Sequence, residues 1–244
     1  MSIELKRVYI RHKENYPESE VEYYAQRGFQ MFGCETLPFY GFGDIQEIKD
    51  LGPEVGLVGY VGDIKEALST VGKQVPDNID YPVELNGYLG RDILITSLEE
   101  IRKRPGKQVF IKPVQHKLFS GFVWNGDESS RTRIASCHDN TRIYCSQVLD
   151  IVAEYRCFVL DEEILDVRLY KGDWKYHPGR DTIEYAVADL VSPNRAYCID
   201  FGVLRNGKNI FIEMNEGYSF GHYGLKPELV ARMLSARWNE MLLK

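Results

Sequence analysis

The stretch IDFGVLRNGKNIFIEMNEG, residues 199–217, decides how the rest of the chain is read. Asn206-Gly207 is among the strongest two-residue hairpin signals, because a type I′ turn needs positive φ at both central positions. If this pair closes the loop, Arg205 pairs with Lys208 and Asp200 falls directly opposite Glu213. Asn215 lies two residues beyond Glu213 and points to the same face. Two opposed carboxylates repel each other and destabilise a sheet. A divalent cation between them is the simplest remedy. Oxygen ligands with open water positions suit Mg²⁺, which keeps several waters and takes one or two carboxylates plus phosphate oxygens. On this reading Asp200→Asn stabilises the empty chain. A solvated hairpin face carrying surface acids has the same spacing, and a single bulge would change the register. The flanks speak against a solvated face. Ile199, Phe201, Val203, Ile210, Phe211, Ile212 and Met214 make both strands apolar nearly throughout. That is the pattern of central strands, where unpaired acids are costly.

Basic residues raise the mirror-image question. Lys112 sits in the apolar run VFIKPV, either snorkelling at an edge or neutralising an anion, and Lys117 follows five residues later. In EYRCFVLDEEILDVRLY, Glu154, Arg156 and Phe158 share one face, and a three-residue loop over 161–163 puts Arg156 opposite Arg168. A bound polyphosphate would relieve that repulsion, and so would surface exposure. Two lysines, two arginines and a three-residue oxygen cluster suit a nucleoside-triphosphate site. Neither a G-x-x-x-x-G-K-[ST] loop nor a kinase-type glycine-rich loop is present.

Upstream, the first 72 or so residues alternate strands and helices, which favours a small parallel α/β unit. Asp44 reads as the N-cap of one short helix and Asp63, with Glu66, as the capping box of another. Pro76, Asp77, Asn78 and Pro82 mark a linker, so residues 1–75 and 76–244 are expected to form separate domains. Ser97 and Glu100 cap a basic helix, after which the pattern turns strand-rich and closes on an amphipathic helix. The polar region 126–142 fits no element.

The chain has 244 residues, 44% of them apolar, enough for a full core without staples. A net charge of −6 has the wrong sign for a protein whose main partner is a nucleic-acid backbone. Five scattered cysteines without a C-x-x-C pair read as thiols of a reducing cytosol. No run approaches the roughly 20 apolar residues of a membrane span. With no secretory signal at the start, these features imply a cytoplasmic protein.

Taken in order, VFIKP, SQVLDIVAEYRCFV, CIDFGV and FIEMNEG resemble successive strands of the ATP-grasp superfamily, over roughly residues 105–225. KPVQHK with EYRCFV is similar to the divergent clade defined by an arginine and two lysines. That clade includes a cell-division-cycle protein that assembles a translation initiation factor, and GYSFGHYGL looks like the tail of small phage and bacterial members. The resemblance implies an α/β (α+β) ATP-grasp fold, with a small N-terminal unit before two strand-rich subdomains that clamp ATP. It also implies roles for particular residues. Lys112 and Lys117 would contact the triphosphate. The backbone of Gln147, Val148 and Leu149 would hold adenine, although Gln147 stands where the family usually has an acid. Glu154 would take the ribose hydroxyls, and Arg156 and Arg168 would line the phosphate or acyl-phosphate. Asp200, Glu213 and Asn215 would hold Mg²⁺, with Glu213 bridging two ions.

The activity so implied is ATP- and Mg²⁺-dependent joining of a carboxylate to an amine through an acyl-phosphate, on a peptide, protein or amino acid. A nucleotide-binding assembly factor without turnover is the alternative, and a small-molecule kinase, which releases no free phosphate, is a third. No Ser-His-Asp or Cys-His set and no zinc spacing among the five histidines offers another chemistry. His116, between the two lysines, and His222, in the glycine-rich tail, are the histidines nearest the proposed site.

Overall fold

The computed structural model describes residues 3–104, 106–115 and 118–243. The chain opens with β1 (Arg7–Lys13), the short β2 (Tyr16–Pro17), α1 (Glu20–Met31), β3 (Glu35–Phe39), α2 (Phe42–Glu47), β4 (Val55–Val58) and α3 (Val61–Thr70). In β1, Val8, Ile10 and His12 are buried and alternate with more exposed neighbours, the period of a strand with one covered face. β1 pairs in parallel with β3 and β4, while β2 folds back on its end. Ser19 caps α1, its hydroxyl accepting from the Val21 N–H at 3.2 Å, and Gly33 at φ +77° turns the chain out of it.

The helix starts differ from those read in the sequence. α2 begins at Phe42 and α3 at Val61, so Asp44 and Asp63 lie inside the first turn rather than at the cap. Each reaches back to the backbone instead: Tyr40 N–H donates to Asp44 at 2.7 Å and Tyr60 N–H to Asp63 at 2.8 Å. A carboxylate in the first turn can accept from the N-cap N–H, which is why the same residues serve either placement.

After an irregular segment and a 3₁₀ turn (Val83–Tyr88), the second sheet is built from β5 (Ile93–Ser97), β6 (Val109–Pro113), β7 (Phe122–Trp124) and β8 (Arg142–Ser146). Their order is β5-β8-β6-β7, all antiparallel. Helices α4 (Leu98–Arg102) and α5 (Glu128–Arg133) lie between these strands in sequence. The region 126–142 finds its place here. Asp127 caps α5 by accepting from the Ser130 N–H at 2.7 Å, and Ile134 is buried with Ile111, Trp124 and Ile143.

The third sheet contains β9 (Ile151–Leu160), β10 (Glu163–Gly172), β11 (Ala196–Leu204) and β12 (Asn209–Glu216), in the order β10-β9-β11-β12. One face packs Phe201 and Phe211 against Leu85 of the 3₁₀ turn and Ile183 of α6 (Arg180–Ala188). On the other face, Phe158 and Cys198 share a core with Val8, Phe29 and residues of α7 (Pro227–Leu243). α7 runs so close to α1 that a Cβ on Gly28 would meet the Pro227 carbonyl oxygen at 2.0 Å. The two ends of the chain therefore meet in one core. All five cysteines are free thiols, and no helix among the described residues is long and apolar enough to cross a membrane.

Both hairpins of the third sheet depart from their expected turns. In β11–β12, the Leu204 N–H donates to the Lys208 carbonyl at 2.9 Å, so Arg205, Asn206 and Gly207 form a three-residue loop with Gly207 at φ +83°. That would put Asp200 one residue off register, but a bulge beyond Phe201 absorbs Ile212 and restores Asp200 opposite Glu213. In β9–β10, Asp161 and Glu162 at φ +49° and +65° make a two-residue loop, and Leu165 is the extra residue that returns Arg156 to Arg168. The expected pairs form in both cases, through a different turn and a compensating bulge. Only β11 is central. β12 is an edge strand, apolar because its outer edge is covered: Asp80 O accepts from the Met214 N–H at 2.9 Å, and the Arg91 guanidinium donates to Phe211 O at 2.9 Å and Ile212 O at 3.0 Å.

Candidate functional site

A cleft of about 960 Å³ lies between the second and third sheets, at the point where β8 hands the chain to β9. Phe110 and Lys112 come from β6, Gln147–Leu149 from the connecting segment, Glu154 from β9, and Glu213 and Asn215 from β12. Long antiparallel strands fix these side chains at known register positions, so the cleft is lined by rigid elements and one short hinge.

The acids of the opening hairpin meet as the register requires. The Asn215 side-chain nitrogen donates to Asp200 Oδ2 and to Glu213 Oε1, both at 3.3 Å. Their repulsion is relieved by cations of the protein itself. Arg156 stands opposite Asp200 on β9 and grips it with both arms, Nε to Oδ1 and Nη2 to Oδ2, each 2.7 Å. Lys112 Nζ lies 2.7 Å from Glu213 Oε2 and also donates to Asp80. Burial pushes the Asp200 carboxyl above its ordinary range, and the Arg156 fork works against that shift. At Glu213 burial also acts upward, but Lys112 and the Asn215 amide outweigh it and hold the carboxyl below its ordinary range. The expectation that only a bound cation could reconcile the two carboxylates, and with it the expected stabilising effect of Asp200→Asn, is overturned by these pairs.

The opposed arginines are reconciled likewise. Arg156 is buried, engaged by Asp200, and flanked by the rings of Tyr170 and Tyr223 at 5.8 and 5.0 Å. Arg168 is bound by Asp166, Nε to Oδ2 at 2.8 Å, and does not line the cleft. Glu154 faces the cleft and is held by Lys171 Nζ at 2.5 Å. The Gln147 side chain turns away to Asp92, accepting from its N–H at 3.1 Å, which leaves the backbone of 147–149 as the hinge's contribution. Lys117 and His116 lie outside the described residues.

Several cleft residues carried no signal in the sequence. Asp80, Arg91 and Arg133 come from the linker, the turn before β5 and the end of α5. Arg133 is positioned over the Phe122 ring at 4.9 Å. Tyr170 and Lys171 stand at a second irregularity in β10, where alternation fails to predict the face. The tail reaches the site from the other side. Tyr223, at φ +43°, stacks on Tyr170 with ring centroids 4.9 Å apart, and Gly221 O accepts from Arg156 at 3.5 Å. His222 stacks on Tyr24 at 3.8 Å, and its Nδ1 accepts from the Gly224 N–H at 3.0 Å. That bond leaves the ring proton on Nε2, so a neutral His222 is a donor toward its surroundings.

Among the described residues, no group of three or more His, Cys, Asp and Glu side chains is placed to hold a metal ion. The set at hand is two carboxylates and an amide. Its all-oxygen donors fit a hard cation such as Mg²⁺. Asp200 can keep the Arg156 fork and still offer lone pairs, since a carboxylate has about four acceptor sites. Glu213 must give up Lys112 in part. A rotated Asn215 amide would present its oxygen where it now presents nitrogen.

Solved structures share this arrangement of sheets. The chain aligns over 100% of its length with 98% of D-alanine–D-alanine ligase from Bacillus anthracis complexed with ATP, at 12% identity and a TM-score of 0.58. It aligns over 96% with 75% of L-amino acid ligase from Bacillus licheniformis, at 11% identity and a TM-score of 0.60. It aligns over 97% with 99% of the ATP-grasp ligase PsnB complexed with a phosphomimetic variant of its minimal precursor, Mg and ADP, at 14% identity and a TM-score of 0.52. At these identities the likeness is one of fold. No curated protein matches the sequence. Residues 88–233, more than half of the chain, match the model of an ATP-grasp domain family, the second of the clade named for an arginine and two lysines, and the protein belongs to that family of the ATP-grasp superfamily.

Proposed function

We propose that the protein is an ATP- and Mg²⁺-dependent ligase that joins a carboxylate to an amine, on a peptide, a protein or an amino acid. The observation that carries this reading is the convergence of Asp200, Glu213 and Asn215 with the Lys112 ammonium at one end of the cleft between the two sheets. In it the hinge backbone of Gln147–Leu149 takes adenine and Glu154 the ribose hydroxyls. Lys112 and Lys117 take phosphate oxygens, while Asp200, Glu213 and Asn215 hold the cation. Bound there, Mg²⁺ would neutralise phosphate oxygens during transfer. Arg156 acts by holding Asp200 charged and in place. The exposed Arg168 would meet phosphate or acyl-phosphate only by leaving Asp166.

The substrate carboxylate attacks the γ-phosphorus, forming a C–O–P linkage and releasing ADP. An amine then attacks the acyl carbon, phosphate leaves, and an amide remains. Positioning and charge neutralisation by the site do most of this work, and no protein nucleophile is required. The supply of ATP places such a reaction in the cytoplasm. We read the N-terminal unit, residues 1–75, and the clamp, residues 76–244, as the two domains of this enzyme.

The test is trapping with hydroxylamine, which converts an acyl-phosphate to a hydroxamate. Panels of peptides and amino acids with Mg-ATP should yield ADP, phosphate and, with hydroxylamine, a hydroxamate. Tight ATP binding without turnover across the panel would favour the assembly-factor reading. A phosphorylated product that accumulates without free phosphate would favour a kinase.

A further inference from the structure

The nucleotide site contains a carboxylate that comes from outside the matched family domain. Asp80 sits in the irregular segment before the 3₁₀ turn, ahead of residues 88–233. Its side chain accepts from Lys112 Nζ and from the Asn78 amide, and its carbonyl oxygen accepts from the Met214 N–H at 2.9 Å. Main chain and side chain are therefore both fixed, next to the residue that follows Glu213. Tyr81 adds a floor: its ring lies 5.3 Å from Lys112 Nζ and packs edge-on against Tyr144 at 4.8 Å. The Lys112 ammonium, whose side chain is 16% exposed, is thus shared between Asp80, 5% exposed, and Glu213, 26% exposed.

We propose that Asp80 is a positioning residue of this site, which shares the Lys112 ammonium with Glu213 and so governs how readily Glu213 is freed for a divalent cation. The inference rests on the reading of the cleft as the Mg-nucleotide site. A buried ammonium that loses its only partner is strongly destabilised. With Asp80 in place, Lys112 can leave Glu213 and remain paired. Without that carboxylate, Glu213 is the one acid left to it in this pair of contacts, and an incoming cation must compete with a complete ion pair. The segment before the family domain thereby tunes the cation dependence of the domain that follows.

The experiment measures the rise in Tm of the full chain produced by saturating ATP, as a function of Mg²⁺ concentration. Asp80→Asn should raise the Mg²⁺ midpoint fivefold or more, while Asp80→Glu, which keeps the carboxylate, should stay within threefold of the wild type. In a Lys112→Met background, Asp80→Asn should move the midpoint less than twofold, because its effect runs through the lysine. An unchanged midpoint in Asp80→Asn overturns the proposal. So does an equal shift with and without Lys112, which would mean that Asp80 acts on the ion directly. If Lys112→Met abolishes the ATP response, the contrast between Asp80→Glu and Asp80→Asn decides, and equal midpoints overturn the proposal. If ATP raises the wild-type Tm at no Mg²⁺ concentration, the nucleotide reading itself fails and this inference falls with it.

Discussion

Arg156 and Asp200 face each other across β9 and β11, joined by two hydrogen bonds of 2.7 Å in a setting where both side chains are buried. One strand further on, Glu213 stands opposite Asp200 and carries Lys112. Each acid of the hairpin thus has its own cation, and the charges of the empty site are balanced by the protein itself.

Removing either member of the buried pair strands the other. Asp200→Asn and Arg156→Met are each expected to destabilise the empty protein by about 3 kcal/mol, the scale of breaking a buried ion pair from one side. The double variant should lose less than the sum, because no uncompensated charge is left. Urea denaturation of the four proteins checks this. Stabilisation by Asp200→Asn alone would mean that the carboxylates repel despite the arginine.

His222 ties stability to pH. Burial lowers its pKa from the usual 6.5, against the opposing pull of Glu20. Below about 6.5 the unfolded chain binds a proton that the folded chain resists, so the stability contribution is complete above that pH and is lost as pH falls through the folded value. Thermal melts at pH 7.5 and 5.5 should show a larger drop in Tm for the wild type than for His222→Gln. Parallel drops would show that the ring titrates freely.

Two glycines of the hairpin region should respond differently to alanine. A Cβ on Gly217 would meet the Ala196 carbonyl oxygen at 2.3 Å, a backbone atom unable to step aside. Gly207 has φ +83° and open space around it. Gly217→Ala is expected to cost about 2–3 kcal/mol by overpacking, and Gly207→Ala about 1 kcal/mol from backbone strain. Urea midpoints in the opposite order would contradict the packing described at the end of β12.

The opposed pairs Asp200/Glu213 and Arg156/Arg168 are legible because side chains alternate along strands and the bulges at Ile212 and Leu165 re-phase turns that differ from the expected ones. The turns themselves are not legible: Asn-Gly suits both a two-residue loop and a three-residue loop ending on glycine. α6 has its signal in Ile183, Ala186 and Val187, which show helical spacing and are buried, though the surrounding polarity of RDTIEYAVAD masks it. Arg91 and Asp80 are out of reach of pattern reading, since each meets β12 more than 100 residues away and covers an edge that an apolar run does not announce. The cations that neutralise the acids can be named from sequence, but which acid each one holds depends on β9 lying beside β11, and strand order is not a property of local sequence.

The central claim is that Glu213 and its neighbours bind nucleotide through a divalent cation. Titration calorimetry of ATP into the wild type and into Glu213→Gln, with and without Mg²⁺, tests it most directly. The account predicts that Mg²⁺ tightens ATP binding to the wild type at least tenfold and changes the variant less than twofold. Equal tightening of both proteins by Mg²⁺ would contradict it.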